Sequence, residues 1–247
     1  MAYTTIDDPS AHFQTALYTG NDSARDITND GNSDLQPDLI WLKGRSHGYN
    51  HGLFDSSRGV QKELQANTSS TENTLTAGVS AFNSDGFSFN GANYNTNAYT
   101  FVAWQWKANG GTRVTFTESG ANPAGGYQAN TTAGFSIVDY TGTGSSGATI
   151  AHGLGAVPKM FMVKSRSIGD SWTVYHAHNT SAPETDMLKL DENGATQDNS
   201  VFFNDTAPTS TVFAVDGGSG EPKVNQDGET YIAYCFTEIQ GYSKFGS

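Results

Sequence analysis

The chain has 247 residues, 12% of them aromatic and 28 of them glycine, and its 25 acidic residues against 13 basic ones give a formal charge of −12. That surplus repels phosphate backbones and anionic lipid, which argues against nucleic acid and membrane surfaces as partners. No apolar run approaches the roughly 20 residues of a membrane-spanning helix, and the opening Met-Ala-Tyr-Thr-Thr-Ile-Asp-Asp has no basic stretch followed by an apolar one, so the expectation is a protein made in a cytoplasm and not exported by an ordinary secretion signal.

Abundant aromatics and glycines suit strands joined by tight turns, because rings fill pleated half-buried faces and glycine supplies positive backbone dihedrals. The expectation is an all-β protein. A first unit opens near Phe13-Gln-Thr-Ala-Leu-Tyr-Thr-Gly20. Pro37 then marks a strand entry, and Leu39 to Leu42 is an apolar run too short for a helix but suited to a central sandwich strand. Lys43 and Arg45, like Lys164 and Arg166 further on, alternate with small residues at a strand end, which directs each basic pair to one face as a solvated edge or a ligand or subunit contact. Gln61 to Thr76 reads as loop-rich, Phe82-Asn-Ser-Asp-Gly-Phe87 as a tight turn between aromatic strands, and Tyr99 to Trp106 as the unit's most apolar strand.

Residues 1–110 thus form a first, divergent unit, residues 111–128 a linker or edge strand through the alternation of Val114 and Phe116, and residues 129–247 a second unit. The second repeats the first. Pro37-Asp-Leu-Ile-Trp-Leu-Lys-Gly-Arg45 returns 121 residues later as Pro158-Lys-Met-Phe-Met-Val-Lys-Ser-Arg166, Phe13 to Gly20 returns as Phe135 to Gly142, and Tyr231-Ile-Ala-Tyr-Cys-Phe236 echoes Phe101-Val-Ala-Trp-Gln-Trp106. The loop Thr141 to Gly147 is expected to close a hairpin onto Ala148 to His152. Ala177 to Ser200 reads as a second polar, loop-rich middle, and Asp216 to Gly220 as a turn. The single Cys235 excludes an intrachain disulfide and reads as a small buried hydrophobe.

Candidate chemistry is sparse. His176 and His178 share a strand face but lack a third ligand at a telling distance, so no metal site is assigned. Asp139, Asp170, Glu184, Asp216 and Glu238 are available carboxylates, yet neither copy shows the close pair that glycoside hydrolysis needs. Asp191-Glu-Asn-Gly194 and Asp216 to Gly220 fall short of a calcium loop. No nucleophile elbow, Walker loop or dinucleotide fingerprint is present, and no catalytic residue or cofactor is assigned. The sequons Asn67-Thr-Ser and Asn130-Thr-Thr read as turn chemistry. Tryptophan offers a better thread, since a sugar ring packs its C–H face on an aromatic surface while polar neighbours fix its hydroxyls. Trp41, Trp104, Trp106 and Trp172 are the candidates; Trp104 and Trp106 read as core, and Trp172, with Asp170, Tyr175 and Arg166, is the expected exposed glycan platform.

The runs Thr131 to Gly144, His152 to Arg166, Trp172-Thr-Val-Tyr-His176, Phe203 to Ser210 and Tyr231 to Gly246 together resemble a repeated domain of virion structural and tail-fibre-like proteins of marine tailed bacteriophages, and Asp38 to Lys43, Leu53 to Gly59, Phe82 to Phe87 and Tyr99 to Trp104 resemble it more loosely. The resemblance implies two tandem, duplicated lectin-like or jelly-roll β-sandwich units on a virus particle assembled in the host cytoplasm. It implies a non-enzymatic tail-fibre or receptor-binding component that contacts other virion proteins and a host surface glycan without inserting in a membrane, and a homo-oligomer, by analogy a trimer. The alternatives are a capsid decoration or tail adaptor protein and a virion-associated glycan depolymerase.

Overall fold

The computed structural model describes residues 4–217 and 224–246. Among the described residues the chain is predominantly β-stranded, with four sheets. It divides into two compact units, one formed by Asp7–Thr68 and Glu72–Gly111, the other by Thr112–Ser247 with the short segments Met1–Ile6 and Ser69–Thr71.

The first unit holds β1 (Phe13–Thr19), β2 (Arg25–Ile27), β3 (Leu39–Gly44), β4 (Gly52–Asp55), β5 (Lys62–Gln65), β6 (Asn73–Thr74), β7 (Val79–Asn83), β8 (Gly86–Phe89) and β9 (Thr100–Trp106). They form a six-stranded sheet, β1-β9-β3-β4-β5-β6, and a three-stranded one, β2-β8-β7. The second holds β10 (Val114–Phe116), β11 (Ala124–Asn130), β12 (Phe135–Thr141), β13 (Ala148–Ala151), β14 (Met160–Ser165), β15 (Thr173–His176), β16 (Asp186–Lys189), β17 (Gln197–Asp198), the single-turn helix α1 (Ser200–Phe203), β18 (Val212–Val215) and β19 (Thr230–Phe236). Its sheets run β10-β11-β12-β19-β14-β15-β16-β17 and β13-β18.

The large sheets correspond strand by strand, with β12, β19 and β14 to β17 in the places of β1, β9 and β3 to β6. Register corresponds too. Leu39 faces Asp55 and Ile40 faces Phe54 in the first unit, and Met160 faces His176 and Phe161 faces Tyr175 in the second. Register in a half-buried sheet is set by which residues must face the core, since a slip of one residue turns every side chain over. Ala16 and Tyr18 of β1 accordingly enter a core with Ile40, Leu42, Phe54, Phe87 and Phe101, while Thr15, Leu17 and Thr19 point away. In the second core Val138 and Tyr140 take the inward positions beside Phe161, Tyr175, Phe213 and Tyr231. Ile232 and Tyr234 are buried as well, so both faces of β19 are withdrawn from water. Burial pushes the Cys235 thiol up to about 12, the state of an inert buried sulfur.

Two buried polar fastenings also recur. The Tyr18 hydroxyl donates to the Tyr94 carbonyl at 2.8 Å, and that of Tyr140 to Val224 at 2.5 Å. The next residues, Asn95 and Asn225, are fully buried. The Asn95 side-chain Nδ2 donates to the Ser23 carbonyl at 2.7 Å and the Asn225 side-chain Nδ2 to the Ser145 carbonyl at 2.8 Å. Each asparagine thereby satisfies the carbonyl of a loop that leaves the large sheet, where a buried unpaired group would be costly.

Several expectations change. The loop after β12 closes no hairpin, because β13 pairs with β18 in another sheet. Hydrogen bonds from the Gly142 amide to Glu229 and from the Gly144 amide to Asn225, both 2.8 Å, fix the loop as a crossover. The polar middles contain β5 and β6 in one unit and β16 and β17 in the other. The segment after Ala108 supplies two strands, and β11 pairs along all of β12. The turn before Phe87 is a tight one, with Asn83 facing Gly86. Gly86 has φ 96° and its Cα approaches the Ile27 carbonyl so closely that a Cβ would lie 1.9 Å from that oxygen, so glycine is required twice over. Where the first unit has β7, the second has α1, started by the Asn199 side chain accepting from the Val201 amide and ended by Asn204 at φ 51°. The Asp216 to Gly220 turn lies partly outside the described residues, as does the end of the tail at Ser247. No helix among the described residues is long and apolar enough to cross a membrane.

Candidate functional site

A cleft of about 290 Å³ opens in the second unit, lined by Asp170, Ser171, Thr173, Lys189, Gln197, Asn199, Val201 and Phe202. It lies at one end of the core face of the large sheet. Thr173 and Lys189 are directly paired across β15 and β16, and Gln197 of β17 pairs with Met187. Tyr175 and Met187, two residues along from the paired positions, are in the core. The face therefore changes from apolar to polar within one strand, and Phe202 of α1 belongs to both core and cleft.

The rim is organised by hydrogen bonds. The Ser171 hydroxyl donates to Glu192 Oε1 at 2.7 Å and Lys189 Nζ donates to the same atom at 2.9 Å. The Lys189 and Ser171 hydrogen bonds hold the Glu192 carboxyl below its ordinary value. Asp170 Oδ1 accepts from the Ser171 amide at 2.8 Å. The arrangement offers a carboxylate, hydroxyls, amides and one ammonium above an apolar floor. Such a lining suits a small polyhydroxylated ligand, and the volume is at the lower end of the range of about 300–1,000 Å³ typical of ligand sites.

Of the four residues expected to form a platform, the structure brings Asp170 to the cleft. Trp172 is not an exposed platform: it is 0% exposed, stacked on Tyr234 with ring centroids 6.0 Å apart. Its amide donates to Asp191 Oδ1 at 2.9 Å and its carbonyl accepts from Leu190, which seats it beside the strand. Tyr175 is buried in the core, its ring stacked on Phe161 at 4.9 Å and edge-on to Phe203 at 6.0 Å. Three residues apart on an extended segment, the two rings take opposite faces, Tyr175 that of the core and Trp172 that of Tyr234, and both are buried despite polar neighbours in the sequence. Arg166 is half-buried just beyond β14, its amide bonded to the Thr230 carbonyl at 2.8 Å. Lys189, Gln197 and Asn199 were missed because they come from a segment read as loop, although the apolar Met187-Leu188 pair within it was a strand signal.

Lys164 is not a solvated edge residue but is fully buried, its ammonium donating to the Ser165 carbonyl at 2.9 Å. Burial pushes it down to about 8, with Asp170 and Asp191 opposing the fall. Below pH 8 both folded and unfolded chains carry this proton. Between about 8 and 10.5 the unfolded chain keeps a proton the folded one has released, so this residue's contribution to stability rises with pH. The urea midpoint of wild type minus that of Lys164→Met is expected to be flat from pH 6 to 7.5 and to climb from pH 8 to 10; a difference flat throughout overturns the assignment. Ionisation of Cys235 and the tyrosines is common to both proteins and cancels.

The other candidates separate into structural roles. His176 Nδ1 accepts from the His178 amide at 3.3 Å, and no three His, Cys, Asp or Glu side chains gather into a metal set among the described residues. Asp55, the repeat counterpart of His176, forms a buried ion pair with Arg58, whose Nη1 also meets Glu72 at 3.3 Å. Trp41, Trp104 and Trp106 are half-buried. Trp41 lies edge-on to Trp104 at 6.4 Å, and its indole N–H donates to His51 Nδ1 at 3.0 Å. In the Asn130 sequon the side-chain oxygen accepts from the Ala133 amide at 3.0 Å, a turn bond.

No curated protein and no solved structure matches the chain. One family does, over residues 8–247 and hence across both units. The chain belongs to that family, a domain of unknown function designated DUF7483.

Proposed function

We propose that the protein is a non-enzymatic structural component of a tailed-bacteriophage virion, built of two duplicated lectin-like or jelly-roll sandwich units, and that it takes part in host attachment as a tail-fibre or receptor-binding element. The virion reading is supported by the resemblance of residues 131–246 to phage structural domains, and the duplication by the matching strand orders and registers. The observation that carries attachment is the cleft beside Asp170, in which hydrogen-bonding groups of both kinds converge over Phe202. The ligand is a sugar residue of a host surface glycan.

The test is binding of the purified chain to a panel of immobilised bacterial surface polysaccharides, with Asp170→Ala and Lys189→Ala beside wild type. Each variant is expected to weaken binding about tenfold, the effect of about 1.4 kcal/mol. Absence of binding to every polysaccharide, or equal binding by all three proteins, removes the glycan site. Release of reducing ends from the same panel would favour the depolymerase reading. The alternative of a decoration or adaptor protein is supported by the exposed Leu17 and Val114, and electron cryomicroscopy of the particle separates it from a projecting fibre by position and copy number.

A further inference from the structure

β1 is the longest edge strand among the described sheets, seven residues paired with β9 on one side. Edge strands offer unpaired main-chain groups to any passing strand, and are ordinarily blunted by brevity, charge, proline or a bulge. β1 itself has none of these, and the Arg25 guanidinium caps its last carbonyl alone, donating to that of Thr19 at 2.8 Å. Phe13–Thr19 contains no charged residue and no proline, its pairing with β9 runs without a register shift, and Leu17 is 62% exposed. A groove of about 160 Å³ runs beside it, lined by Ala16, Leu17 and Tyr18, by Arg25, Asp26 and Ile27 of β2, and by Thr28 and Asp30.

The second unit has the same edge at β12, and there it is covered. β11 lies antiparallel along all seven residues of β12, while Phe116, Ala121 and Tyr127 from this segment pack on the core. The internal copy thus displays what such an edge accepts: an extended strand with an apolar side chain turned to the core. β10 then becomes the outermost strand of that sheet, with Val114 52% exposed. Leu17 and Val114 are the two most exposed large apolar side chains among the described residues, one on each outer strand.

We infer that β1 of one copy pairs with β10 of a second copy, joining the six-stranded sheet of one chain to the eight-stranded sheet of the other. Main-chain hydrogen bonds supply the affinity, and withdrawal of Leu17 and Val114 from water adds to it. Neither Phe13–Thr19 nor Val114–Phe116 carries a charge that opposes the approach. The surface given differs from the surface received, so the contact is heterologous and either closes into a ring or continues as a fibre. It is independent of the glycan reading.

Sedimentation velocity of the intact chain over a concentration series tests the pairing, with Leu17→Lys and Val114→Lys as variants that each charge one edge. Wild type is expected to associate, more so with added salt that screens its net charge of −12. Each variant alone is expected to stay monomeric. Their equimolar mixture is expected to give dimers and nothing larger, because one intact β1 and one intact β10 remain between the two proteins. A monomeric wild type at all concentrations overturns the inference, as does wild-type association by Val114→Lys alone, which would mean that β1 pairs with β1. Amide exchange guards against a variant that misfolds: in wild type the β1 amides are expected to slow with rising concentration, and unchanged exchange also overturns the pairing.

Discussion

Asp38→Ala is expected to destabilise the protein by about 3–5 kcal/mol, because one buried carboxylate holds the end of the first unit in place. Asp38 is 0% exposed. Its Oδ2 accepts from the amides of Ala108 at 2.6 Å and Gly110 at 2.9 Å, and its Oδ1 from the Gly111 amide at 3.0 Å and the Ser56 hydroxyl at 2.6 Å. Hydrogen bonds to a charged acceptor are each worth more than neutral ones, and alanine leaves the buried Ala108 amide and three partly exposed donors without it. Asp38→Asn keeps one acceptor but turns an N–H₂ toward amides that donate, so it is expected to recover only part of the loss. Urea unfolding of the intact chain followed by tryptophan fluorescence reads the change. A loss below about 1 kcal/mol for Asp38→Ala would show that water replaces the carboxylate at little cost.

Phe161→Ala is expected to cost the second unit about 3–5 kcal/mol. Phe161 is 1% exposed and its ring meets Phe213 at 4.7 Å, Tyr175 at 4.9 Å and Phe203 at 5.1 Å. Alanine leaves a cavity among aromatic rings that cannot close over it without leaving their own rotamers. For a chain of this size the loss corresponds to a fall of roughly 10 °C in Tm. Phe161→Leu, which retains part of the volume, is expected to lie between. Scanning calorimetry of the three proteins tests the order, and an alanine variant within 2 °C of wild type refutes it. Phe202 and Phe203 belong to the same core, so the alanine variant is also expected to loosen α1 and with it the floor of the cleft.

The two large sheets share a strand order but differ in what lies at the strand ends. Corresponding strands keep their partners, but residues at their ends diverge: Asp38 corresponds to Lys159, Asp55 to His176, and the edge that β1 leaves open is closed on β12. Main-chain pairing tolerates such change as long as inward positions remain apolar. The first unit uses its carboxylates to fasten itself, with Asp38 on three amides and Asp55 on Arg58. The second presents Asp170 at a cleft.

Strand content and the correspondence between the two large sheets were readable from residue order, because both depend on local rules: alternation sends Ala16 and Tyr18 inward, and the same alternation recurs at Val138 and Tyr140. The repeated Pro-x-apolar run even carried the register of β3 and β14. What surrounds each strand was not readable. Whether β12 turns back on itself or crosses to another sheet was decided by amides of Gly142 and Gly144 finding carbonyls more than 80 residues away. Polar neighbours in the sequence point Trp172 to the surface, yet it is fully buried and stacks on Tyr234 of β19. Lys164 looked like a solvated strand end and is enclosed. The cleft draws on a loop, three strands and a helical turn between residues 170 and 202, each placed by packing on the core. Pattern along a chain is set by what one residue does to the next, whereas burial and convergence depend on which distant segment arrives to share a face, and that is an outcome of the tertiary free energy alone.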